Sequence, residues 1–109
     1  MYSVKGYTIT LTRGDTLSLG VTILEEDDTP YVPKPDDSIR FAMKKDYNDE
    51  SPLLVKNIPN DTLILTLNPG DTKLLPFGKY VYDIQLTNGS GEVDTFIAKA
   101  NLILTEEVD

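Results

Sequence analysis

The sequence predicts an all-β domain, an antiparallel β-sandwich of six to eight strands with one short helical turn near residues 69–75. Three observations lead there: apolar and polar residues alternate with a period of two in several separate stretches, turn residues recur between them, and only one short segment carries helix-start chemistry. The clearest stretch is Gly78 to Leu86, where Tyr80, Tyr82, Ile84 and Leu86 alternate with Lys79, Val81, Asp83 and Gln85. Its aromatic and β-branched residues suit a pleated, half-buried surface. Pro76-Phe77-Gly78 and Asn88-Gly89 bound it with turns, so it is expected to be a central strand.

The remaining elements follow the same logic. Tyr7, Ile9 and Leu11 alternate with threonines, Arg13-Gly14-Asp15 turns the chain, and Leu17, Leu19, Val21 and Ile23 alternate again, which predicts two strands joined by a short turn. Residues 25–37 hold three prolines and clustered carboxylates and are expected to form a long loop. Ile39, Phe41 and Met43 predict a third strand, Leu53-Leu54-Val55 an edge strand, and Leu63, Leu65 and Leu67 another, with Pro59-Asn60-Asp61 as a turn. In Asn68-Pro69-Gly70-Asp71, Asn68 suits the helix cap, Pro69 the first helical position, and Asp71 the positive end of the helix dipole. After the central strand, Thr87 to Gly91 forms a hairpin loop. In the last strand Phe96, Ala98, Ala100, Leu102 and Leu104 face the core opposite Ile97, Lys99, Asn101 and Ile103. The architecture is immunoglobulin-like in layout only, because the cysteine pair and core tryptophan of that fold are absent. Tyr80 invites comparison with the tyrosine corner of that fold, but Asp71 lies too far upstream to copy its aspartate.

A chain of 109 residues forms one domain, 1–109, and buries roughly 65% of its unfolded surface. The net charge of -8 argues against nucleic acid or an anionic membrane as partner, since lysine and arginine are what neutralise phosphate. The chain contains no cysteine and no histidine, so disulfides, thiolate chemistry and the commonest general base and metal ligand are all missing. No enzyme activity, cofactor or metal is expected. Two carboxylates alone can hydrolyse glycosides, but no pair here has a context that would hold it across a cleft. The N-terminal residues contain no apolar run of signal-peptide length and no later segment is long and apolar enough to span a bilayer, so export, if it occurs, is expected to use another route.

Several motifs read best as structure. Arg13-Gly14-Asp15 spells the integrin tripeptide but occupies a turn. Glu106-Glu107-Val108-Asp109 matches a chaperone tail bound by carboxylate-clamp domains, yet it follows a strand with almost no linker. Glu25, Glu26, Asp27, Asp28, Asp36 and Asp37 do not match the twelve-residue calcium loop and read as solvated charge. Asn60-Asp61-Thr62 and Asn88-Gly89-Ser90 read as turns, the latter as a tight hairpin, rather than as glycosylation sites. Among surface candidates, Val81, Ile97, Ile103 and Ile64 interrupt the polar face and predict an interface with a second subunit. Tyr31, Tyr47 and Tyr2 are candidate contact residues.

Read end to end, Thr12 to Leu19, Ser38 to Lys45, Leu67 to Thr72 leading into Gly78 to Leu86, and Ala100 to Leu104 resemble the small N-terminal β-sandwich domain of upper baseplate and receptor-binding proteins. Those proteins belong to tailed phages and prophages of Gram-positive bacteria. The resemblance covers nearly the whole chain and rests most on the Gly-x-Tyr-x-Tyr-Asp strand following a short helix. It implies a structural virion component of the tail or baseplate, often a homo-oligomer, acting by protein–protein assembly with other tail proteins in host attachment. Contact with host cell-wall saccharide would be indirect. With no linker helices or receptor-binding head, a stand-alone docking or accessory protein fits. The alternative is a carbohydrate-binding or adhesion module in which Tyr31 and Tyr47 stack on sugars.

Overall fold

Eight strands form in the computed structural model of the chain, which describes residues 2–5, 7–25 and 27–106; seven fall on stretches the sequence predicts as strands, and the first, at residues 2–5, does not. They are β1 (Tyr2–Lys5), β2 (Thr8–Thr12), β3 (Leu17–Gly20), β4 (Ser38–Lys44), β5 (Leu54–Ile58), β6 (Ile64–Leu67), β7 (Gly78–Thr87) and β8 (Val93–Thr105), with a one-turn helix α1 (Pro69–Thr72) before β7. The all-β class is as expected. Six strands form one sheet in the order β1-β2-β8-β7-β4-β5, and β3 pairs with β6 in a second. β7 is central, with Phe41 opposite Ile84 on one side and Leu102 opposite Tyr80 on the other.

Two expectations about pairing need correction. The sheets are not antiparallel throughout: β2 runs parallel to β8, with Ile9 opposite Leu102 and Leu11 opposite Leu104. Nor do β2 and β3 form a hairpin across Arg13-Gly14-Asp15, because they enter different sheets. Gly14, at φ 83°, turns the chain while its N–H donates to Thr72 Oγ1 at 2.9 Å, which anchors the turn on α1, and the Arg13 N–H donates to Thr105 O of β8 at 3.1 Å. Alternation specifies which side chains point inward; partner choice depends on residues more than 90 positions away in the chain.

The inward residues of both sheets form one core. Ile9, Leu11, Ile39, Phe41, Met43, Tyr80 and Leu102 of the larger sheet join Leu17, Leu65 and Leu67 of the smaller, all essentially inaccessible to solvent. Each such side chain contributes on the order of 1.5–3 kcal/mol of hydrophobic free energy. Val21 and Ile23 are buried although the chain leaves regular strand geometry after Gly20. The helix is the single short turn the sequence predicts, and its cap runs through Asp71, whose carboxylate accepts the Asn68 N–H at 2.7 Å and pairs with Lys56 at 3.0 Å.

The last strand departs from simple alternation. Tyr82 faces Ala100, Ile84 faces Ile97 and Gln85 faces Thr95, so β8 takes up extra residues in two bulges, one of them at Lys99 with φ 55°. This shift turns Ile97 inward against the core and leaves Ala98 exposed, the reverse of the sequence expectation for both. The loop after β7 also differs. Thr87 pairs with Val93, and Asn88 Oδ1 accepts the N–H groups of Ser90 and Glu92, which makes a longer loop than a tight Asn-Gly turn. A Cβ on Gly89 would lie 2.9 Å from the Asp36 Cβ, so glycine is required there by close approach.

Tyr80 does form a corner. Its hydroxyl donates to Pro76 O at 2.6 Å, four residues upstream, which ties the end of the α1 connection to the start of β7. Tyr82 packs its ring 5.3 Å from that of Phe41, and its hydroxyl donates to Tyr7 O. Burial pushes the Tyr82 hydroxyl up to about 12 and raises that of Tyr80.

Tyr80→Phe keeps the ring and removes the corner bond, so chemical denaturation should show a loss of about 1 kcal/mol. Tyr82 is neutral in the fold above the pH at which an unfolded tyrosine ionises, so stability should decline as pH rises from the ordinary value of 10.0 toward about 12. A pH series of thermal melts should show this decline weakened in Tyr82→Phe.

Candidate functional site

Side chains that alternate away from the core make the outer face of the larger sheet, and there the strands leave a depression of about 450 Å³. β4 contributes Arg40, Ala42 and Lys44, β7 contributes Val81, Asp83 and Gln85, and the bulged part of β8 contributes Ala98 and Lys99. The β4–β5 loop closes one side with Tyr47, Glu50 and Pro52. Small and apolar Ala42, Val81 and Ala98 provide the lining between charged groups. Arg40, Lys44, Asp83 and Glu50 form no salt bridge among the described residues.

Tyr47 is held at the rim. Its hydroxyl donates to Lys99 O at 3.2 Å, and the Lys99 ammonium lies 5.5 Å from the centre of its ring. Tyr47 remains 48% exposed, beside the depression. The β8 bulge thus performs two tasks, placing Ala98 outward and directing the Lys99 carbonyl to Tyr47.

The structure brings Val81 and Tyr47 to this place and distributes the other sequence candidates elsewhere. Ile97 points to the core, and Ile103, half-buried, sits opposite Lys79 nearer β2. Ile64 lies on the smaller sheet. Tyr31 lies against the core at the loop end, its hydroxyl donating to Asp37 Oδ2 at 2.5 Å. Tyr2 opens β1, and its side chain lies outside the described residues. Arg40, Ala42, Lys44, Asp83 and Gln85 were readable as outward positions from alternation. Ala98 was not, because a bulge leaves no signature in an Ala-Lys-Ala stretch.

The other motifs have structural roles in the fold. The Arg13 guanidinium lies 4.1 Å from the Phe77 ring centre and donates to Leu75 O at 3.3 Å, so the tripeptide's cation is engaged within the domain. Asn60 Nδ2 donates to Lys34 O and Asp37 O at 2.9 and 2.8 Å. In the acidic loop, Asp27 Oδ1 accepts from the Thr29 hydroxyl, which holds its carboxyl below the usual range. No group of three or more acidic residues among the described residues is arranged to hold a metal ion. Glu26 and the tail residues Glu107, Val108 and Asp109 lie outside the described residues.

Buried Asp37 organises the loop between β3 and β4. Besides the Tyr31 hydroxyl it accepts the Lys34 N–H at 2.8 Å, and these two bonds, the hydroxyl first, hold its carboxyl below the ordinary value. The same bond to Asp37 raises the Tyr31 hydroxyl.

No protein-family model matches the chain, and neither a curated protein nor a solved structure matches it significantly.

Because the folded-state pKa of Asp37 is depressed, its contribution to stability is present above the ordinary carboxylate value of 3.8 and is lost as pH falls through the folded value. Thermal melts from neutral to acidic pH should therefore show Asp37→Asn less stable than the parent near neutrality, with the gap closing below 3.8. A constant gap across that range would contradict this role.

Proposed function

We propose that this chain is a non-catalytic assembly module, a phage or prophage tail or baseplate-associated structural protein that docks other tail proteins in host attachment. The supporting observation is the outer-face depression, where small apolar side chains lie among charges that find no salt-bridge partner within the described residues. Apolar surface with complementary charge around it is the chemistry of a protein-docking patch. The tail and baseplate assignment comes from the sequence resemblance, above all from the Gly78 to Leu86 strand following its short helix. In this reading the two sheets serve as the leaves of an immunoglobulin-like sandwich, one leaf completing the core and the other presenting the docking face.

A carbohydrate-binding reading draws support from one observation, the half-exposed Tyr47 beside Arg40, Asp83 and Gln85, a stacking platform next to hydrogen-bonding groups. Tyr31 no longer belongs to that reading, since its hydroxyl and part of its ring serve the core and Asp37.

Ala98→Arg places a long cation in the depression from an exposed position. Stability should change by no more than about 0.5 kcal/mol. In co-purification with tail proteins encoded beside this gene, the parent chain should capture a partner and Ala98→Arg should weaken that capture about tenfold or more. Equal capture by both would remove the outer face from the account. Binding of the parent chain on a glycan array, lost in Tyr47→Ala, would favour the carbohydrate reading instead.

A further inference from the structure

We propose that the outer-face depression receives the acidic loop end of a second copy of this chain, so that copies associate face to end. The inference rests on the reading of the outer face as a docking surface and names its partner. The chain carries a net charge of -8, yet the depression is lined by three cations, Arg40, Lys44 and Lys99, against two carboxylates, Asp83 and Glu50. Basic charge is concentrated where the apolar lining is exposed.

The loop end carries the opposite pattern. A second depression, about 520 Å³, lies between the chain following β3 and the β7–β8 loop. Its charged lining is Glu25, Glu92 and Asp94, with no cation. Leu24 and Val93 stand out from it at 55% and 59% exposure, two apolar projections among carboxylates. Two copies of the basic face would oppose cation to cation, and two acidic ends would oppose carboxylate to carboxylate. Face against end instead sets Arg40, Lys44 and Lys99 toward Glu25, Glu92 and Asp94, with Leu24 and Val93 toward Ala42, Val81 and Ala98. Electrostatic complementarity of this kind selects register and suppresses the like-charged alternatives. Because the two surfaces are different, the contact is heterologous: the second copy retains an open face, and association continues beyond a pair or closes into a ring.

Sedimentation of the full chain over a concentration series tests this with two double variants at exposed positions, Arg40→Glu with Lys99→Glu on the face and Glu92→Lys with Asp94→Lys on the end. The parent chain should self-associate, and raising salt so that the screening length falls from about 10 Å to 3 Å should weaken the association about tenfold or more. Each double variant alone should remain monomeric with an unchanged thermal melt. Mixed, they should associate again, since the native end of one meets the native face of the other and the two reversed surfaces also carry opposite charges. A parent chain that stays monomeric overturns the proposal, as does self-association that persists in either variant or is not restored on mixing. If self-association is absent while a tail protein is still captured through the face, the partner named here is wrong and the docking reading stands.

Discussion

The pairing of β7 with β8 is the constraint on which the rest of the structure depends. Tyr82 to Gln85 spans three steps on β7, whereas their partners Ala100 to Thr95 span five on β8, so the longer strand must take up two residues without losing its inward side chains. It does so in bulges, one with Lys99 at φ 55°. Leu102 and Leu104 thereby stay in register with Tyr80 and Gly78, and Ile97 reaches the core beside Ile84. The residues displaced outward, Ala98 and Lys99, complete the depression on the opposite face. Core packing and the candidate site are two sides of one register adjustment.

Around that pair the fold is tied by long-range bonds that local alternation does not specify. β2 lies parallel against the far edge of β8, and the Gly14 amide is held by Thr72. At one end, Arg13 stacks on Phe77 and reaches Leu75, and the Tyr80 hydroxyl closes on Pro76. At the other, Asp37 gathers Tyr31 and the Lys34 amide, and Asn60 bridges the carbonyls of Lys34 and Asp37. These polar ties fix loops whose composition alone read as solvated charge and turn. They also explain why the tripeptide at Arg13 and the acceptor sequence at Asn60 act as structure.

Much of the strand content was legible in the sequence, because inward and outward positions differ chemically at every other residue from Ile39 to Met43 and from Tyr80 to Ile84. The central place of β7 was legible for the same reason. Partner choice was not: the alternating stretches around Leu11 and Leu17 read as a hairpin, yet β2 pairs with β1 and β8 while β3 pairs with β6. The site was half legible. Val81, Arg40 and Lys44 fall on the outer face by period alone, and Tyr47 was a contact candidate. Ala98 and Ile97 exchanged faces, since a bulge depends on the length mismatch with the opposing strand and not on the residues that form it.

The central claim is that the outer face of β4, β7 and β8 is covered when this protein associates. Hydroxyl-radical footprinting read by mass spectrometry, on the chain alone and in its associated form, tests it most directly. Oxidation of Tyr47 should fall on association, while that of Tyr7 and Leu74, exposed away from the depression, should stay constant. Unchanged oxidation of Tyr47 with protection at Tyr7 or Leu74 would contradict the account and move the docking surface to another part of the domain.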